Sequence, residues 1–125
     1  MKKLLIVITK APYGSEDPFG AILFAGTGPT AEVQTKVVFA GEGVHSAVTG
    51  QNPGEYIKVD EKRLELPNIE QNIRNISQVG VEFYALQKDL NAKGVHEEEM
   101  INGVRPIDAE GFASLVLEAD TSLVF

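Results

Sequence analysis

The stretch from Gly80 to Gly94, GVEFYALQKDLNAKG, begins as a strand and ends as a helix, with the crossing between them at Leu86-Gln87. Val81 to Leu86 is an apolar run rich in the β-branched and aromatic residues that suit a strand. It leads into a polar helical segment, with Lys93 in its last turn and Gly94 placed to cap it in the left-handed conformation. In an open α/β sheet, ligands bind at such crossings, outside the carboxyl ends of the strands. The crossing here holds Leu86 and Gln87, which can pack and hydrogen-bond but cannot act as nucleophile or acid.

The rest of the chain repeats this alternation. Leu4 to Ile8 is a continuous apolar strand, so both its faces should be covered, as in a parallel sheet flanked by helices. After a turn-rich loop, Asp17 is placed to cap a helix with Pro18 at its first position. Phe19, Ile22, Leu23 and Gly26 form its inner face, and Gly28-Pro29 stops it. Lys36 to Ala40 is the second strand. It breaks at Gly41 into a short helix with Val44, Ala47 and Val48 inward and Gly50 at its end.

The segment from Gln51 to Asn68 is irregular. Tyr56 to Val59 and Leu64 to Leu66 can form two short strands around Asp60, Glu61 and Lys62, a hairpin marginal by itself. It reads equally as a long loop, or as an arm toward another subunit. Asn68 and Gln71 then form a capping pair, and Ile69, Ile73 and Ile76 give a helical stripe up to Gly80. Beyond Gly94, Val95 to Ile101 holds one acidic helical turn. Val104 to Ile107 can only be a short or edge strand, because Pro106 cannot donate to a ladder. Asp108 caps a last helix with Phe112, Leu115, Val116 and Ala119 inward, and Ser122 to Phe125 is the final strand. The pattern predicts one α/β domain over residues 1–125, a three-layer α/β/α sandwich with a parallel five-stranded sheet.

Charge and composition narrow the partners. The net charge is −7, from 18 acids against 11 scattered bases, which argues against nucleic acid or an anionic membrane surface. No apolar run approaches the ~20 residues of a membrane span, and the five apolar residues after Met1-Lys2-Lys3 suit a first strand better than a signal peptide. These features point to the cytoplasm. The cysteine count is zero, so no disulfide, thiolate metal site or thiol nucleophile is available on the chain.

Candidate chemistry lies at the strand ends. Tyr13, Gly14 and Ser15 could line a pocket for a small anion, or form a plain turn. Neither GxGxxG nor GxxxxGK[ST] spacing is present, which disfavours nucleotides, and no cofactor is expected. Gly41, Glu42, Gly43 and His45 form a second station, where Glu42 and His45 could act as an acid/base pair. The blander reading gives Glu42 to the helix dipole and leaves His45 as a surface residue. Leu86 and Gln87 are the third station. His96 beside Glu97, Glu98 and Glu99 matches no strong zinc spacing, so no metal is expected and a solvated acidic face is the simpler reading. A stand-alone ligand binder or enzyme would need Tyr13, Glu42, His45 and Gln87 to converge on one cavity.

The order of several segments resembles the DsrE/DsrF-like family, which includes the TusC-type subunits of bacterial sulfur-relay complexes. They are Lys10-Ala11-Pro12-Tyr13-Gly14-Ser15, Gly41-Glu42-Gly43-Val44 with Gly50-Gln51, Leu90 to Val95, and Leu117 to Phe125. The resemblance implies the same sandwich, and cytoplasmic assembly into homo- or hetero-oligomers, often trimers or hexamers. Members of the DsrE/TusD type carry sulfur as a persulfide on a cysteine at the end of the third strand of the sheet. Counted back from Gly94-Val95, that position is Leu86. The Gly43-Val44 and Gly50-Gln51 segment looks more like the DsrF/TusC branch, whose subunits help to build the complex without that cysteine. The implied role is a non-catalytic, oligomer-forming subunit linked to sulfur relay, with itself and a cysteine-bearing DsrE/TusD-like paralogue as partners.

Overall fold

The computed structural model describes residues 1–51, 57–59, 62–64 and 68–125. Its sheet has five strands: β1 (Lys3–Ile8), β2 (Gln34–Phe39), β5 (Glu82–Leu86), β6 (Val104–Ile107) and β7 (Thr121–Val124). Their spatial order is β6-β5-β2-β1-β7, and every pairing is parallel. A separate antiparallel hairpin joins β3 (Ile57–Val59) to β4 (Lys62–Leu64). Lys62 therefore lies in a strand rather than in the turn expected of it. Tyr56, Asp60, Glu61, Glu65 and Leu66 lie outside the described residues.

The helices are α1 (Asp17–Ala25), α2 (Thr27–Thr30), α3 (Ile69–Gln78), α4 (Gln87–Ala92) and α5 (Ala109–Glu118). Two 3₁₀ turns, Gly41–Ala47 and Glu97–Glu99, accompany them. The steps β1 to β2, β2 to β5 and β5 to β6 all move in one direction across the sheet. Right-handed crossovers then put α1, α3 and α4 on one face. Only the step from β6 back to β7 runs the other way, and it carries α5 to the opposite face.

The register sorts the strand residues accordingly, since alternate side chains point to opposite faces. Ile6, Ile8, Val37, Phe39, Phe83 and Ala85 meet Ala21, Ile22 and Ala25 of α1, Ile69 and Ile73 of α3, and Leu90 of α4. The rings of Phe39 and Phe83 stack at 5.9 Å in the middle of this layer. Full burial of such side chains contributes roughly 1.5–3 kcal/mol each. The other face, with Leu5, Val7 and Val38, is packed by Phe112, Leu115 and Ala119. The first layer is deep and the second is thin.

Several local expectations differ in detail. Asp17 does not cap α1. It is the first helical residue, it pairs with Lys10, and its N–H donates to Ser15 Oγ. Gly28-Pro29 does not stop a helix but lies within α2, after a break at Gly26. The 3₁₀ turn ends at Ala47 rather than Gly50, with Val48 half-buried. Val116 is exposed, at the rim of the stripe formed by Phe112, Leu115 and Ala119. Asn68 and Asp108 cap α3 and α5 as expected, accepting the N–H of Gln71 and Gly111 at 3.0 and 2.7 Å. Pro106 lies in β6, an edge strand.

Candidate functional site

Because β5, β2 and β1 are neighbours, their carboxyl ends bring the loop after Ile8, the turn at Gly41 and the crossing at Leu86 to one edge of the sheet. The turn is held there by close backbone approach. A Cβ on Gly43 would stand 2.0 Å from the carbonyl oxygen of Ile8, so only glycine lets the turn rest on the end of β1. Gly41 is left-handed at φ 55, and its N–H donates to Asp89 Oδ2 at 2.7 Å. That bond fastens α4, and with it the Leu86 crossing, to the turn after β2.

Glu42 stands at the centre of the polar groups on this edge. Its carboxylate pairs with Lys93 just past α4, and its Oε2 lies 3.4 Å from His45 Nε2 one turn along. The hydrogen bond from Lys93 is the main reason that its pKa falls below the ordinary 4.5, with His45 adding to the effect. Glu42 also lines an open depression of about 280 Å³ with Thr9, Lys10, Ala11, Gly14 and Ser15. Thr9 is fixed at the seam between β1 and β7, where its N–H and Oγ1 both donate to the Phe125 carbonyl at 2.8 Å.

The structure thus brings Gly14, Ser15, Gly41, Glu42, Gly43 and His45 to one region, but does not aim the proposed quartet at one cavity. Tyr13 adopts a left-handed φ of 65, and its hydroxyl accepts the Ile69 N–H at 3.0 Å, so it caps the start of α3. Gln87 Nε2 donates to Asn91 Oδ1 along the surface of α4. Ser15 Oγ is engaged with the backbone of α1, and no base contacts it among the described residues. Leu86 ends β5 in extended conformation and is 8% exposed, sealed into the crossing rather than presented from it. His96 and Glu99 cap the 3₁₀ turn reciprocally, with the His96 N–H donating to Glu99 Oε1 at 3.0 Å. Such an edge can hold a polar group by charge, but among the described residues it brings no nucleophile together with a general base.

Lys93 and Asp89 are the contributors that sequence reasoning missed. Their partners lie 51 and 48 residues away, and helix position alone gives no sign of such contacts.

The chain matches the sequence model of the DsrE/DsrF-like family over residues 2–125. It belongs to the DsrE/DsrF-like family. An uncharacterized protein of Methanocaldococcus jannaschii is 27% identical over 123 residues, 98% of this chain and 99% of the relative. One of Methanopyrus kandleri is 29% identical over 122 residues, 98% of this chain and 93% of the relative. The crystal structure of the ychN protein from E. coli superposes with a TM-score of 0.85 at 26% identity, over 100% of both chains. A Methanobacterium thermoautotrophicum protein of unknown function shares the fold, with a TM-score of 0.65 at 17% identity over 94% of this chain and 90% of its own. The family resemblance and the parallel five-stranded α/β fold both hold. Among the described residues, no helix is long and apolar enough to cross a membrane.

Proposed function

We propose that this chain is a non-catalytic DsrE/DsrF-type subunit, which builds an oligomer serving sulfur relay without itself carrying persulfide. One observation carries the reading: Leu86 ends β5 in a chain with no cysteine at all, and the family resemblance equates this position with the sulfur-carrying cysteine of DsrE/TusD-type relatives. Persulfide chemistry needs a thiolate, and neither a leucine nor its neighbours can replace one. Around that inert crossing the elements are tied together by contacts of this chain's own. Gly43 lets the turn approach β1, and Asp89 and Lys93 fasten α4 to it. A well-tied scaffold around an inert centre suits a structural subunit, in a homo-oligomer or beside a cysteine-bearing paralogue.

The test is reconstitution with a cysteine-bearing DsrE/TusD-like paralogue from the same genome, using sulfur-35 persulfide on the paralogue. The two chains are expected to co-purify, with all label on the paralogue and faster onward transfer when this chain is present. A strictly homo-oligomeric protein with no effect on transfer contradicts the proposal.

A further inference from the structure

The two edges of the five-stranded sheet are built differently. The β6 edge carries Arg105 and Pro106, a charge and a missing N–H, the devices by which natural sheets prevent edge-to-edge pairing. The β7 edge, Thr121-Ser122-Leu123-Val124, has neither charge nor proline. Among the described residues its one ladder is to β1. On this edge strand Val124 is 70% exposed.

The register of that ladder says which backbone groups face away from β1. The Phe125 N–H donates to Val7 O, and its carbonyl accepts from Thr9. Val7 is the register partner of Val124, and Leu5 of Ser122. In a parallel pair the bonds alternate, so Leu123 and Phe125 are spent on β1, with the Asp120 N–H on the Lys3 carbonyl at the strand's start, while Ser122 and Val124 turn their N–H and C=O outward.

From this we infer that β7 pairs antiparallel with β7 of a second copy across a two-fold axis, joining two sheets into one of ten strands. These outward groups complement themselves. With Leu123 opposite Leu123 of the second copy on the axis, Ser122 of each copy faces Val124 of the other, and all eight outward groups join in four hydrogen bonds. The Leu123 pair then occupies a non-hydrogen-bonded site, where side chains approach closest. A two-fold contact uses the same patch on both copies. The paired strand Thr121–Val124 itself carries no charged side chain, which limits repulsion between two chains of net charge −7. The inference rests on the oligomer-forming part of the proposed function, and in a hexamer this contact is what would join two trimers.

The absence of native cysteine makes the test clean. In Leu123→Cys the two sulfur-bearing residues would have Cα atoms about 4.5 Å apart, within disulfide range. Mild oxidation at micromolar concentration is expected to convert most of this variant to covalent dimer within minutes. Lys88→Cys, exposed on α4, should remain largely uncrosslinked. Val124→Pro removes an outward N–H and leaves the β1 ladder whole, as edge strands tolerate. It is expected to halve the sedimenting mass while keeping the circular dichroism of the native protein. If Val124→Pro fails to fold, the crosslinking rates decide alone. Leu123→Cys crosslinking no faster than Lys88→Cys overturns the edge pairing. With a wild-type oligomer unchanged in Val124→Pro, that result leaves self-association standing and removes only this interface. A wild-type protein that sediments at 13.5 kDa removes both.

Discussion

The Asp89 carboxylate accepts the Gly41 N–H at 2.7 Å, tying α4 to the turn after β2. Net contributions of hydrogen bonds to charged groups are about 1.5–3 kcal/mol. Asp89→Ala should therefore lower the unfolding free energy by roughly that amount in urea titrations. Asp89→Asn, which keeps a neutral acceptor, should cost about half as much. Equal and negligible losses in both would mean that α4 is held by Leu90 packing alone.

Acid should loosen the same edge. The pKa of Glu42 is lowered chiefly by the hydrogen bond from Lys93, and that of Glu70 chiefly by the Gly50 N–H, both from an ordinary 4.5. A lowered folded pKa adds stability that is present above the unfolded value and is lost as pH falls through the folded one. Urea midpoints should thus decline below pH 4.5, and Glu70→Gln should flatten the decline. A Glu70→Gln profile parallel to wild type would count against this assignment.

Gly43 and Gly14 offer a paired test of close approach. A Cβ at Gly43 would meet Ile8 O at 2.0 Å, whereas one at Gly14 has nothing within 4 Å. Gly43→Ala should cost about 3 kcal/mol or more, at the upper end of overpacking effects. Gly14→Ala should stay within about 0.5 kcal/mol of wild type. Comparable melting temperatures for the two variants would show that the turn does not rest on β1.

Ser46 is fully buried, and its Oγ has no hydrogen-bond partner among the described residues. A buried hydroxyl without a partner costs about 1–3 kcal/mol of desolvation. Ser46→Ala should therefore match or exceed wild-type stability in chemical denaturation. A loss above about 1 kcal/mol would reveal a bond made by that hydroxyl in solution.

The strands are legible in the sequence because a sheet covered on both faces needs continuous apolar runs, such as Leu4 to Ile8 and Val81 to Leu86. Caps are legible as well, since Asn68 and Asp108 act within three residues of themselves. What is not legible is made by folding at long range. The tyrosine that reads as a pocket group, Tyr13, is drawn to the start of α3 by an amide 56 residues away. Glu42 and His45 do meet, as their helical spacing suggests, but Lys93 arrives beside them through the sheet order. Asp17 has the chemistry of a cap, yet Lys10 claims its carboxylate. Val116 belongs to the apolar period of α5 but falls outside the narrow strip that one helix buries on the thin face of the sheet.

The subunit proposal is tested most directly by sedimentation of the purified chain, alone and mixed with the cysteine-bearing paralogue. The prediction is a multiple of 13.5 kDa alone, with heavier species containing both chains in the mixture. A 13.5 kDa monomer under both conditions would contradict it.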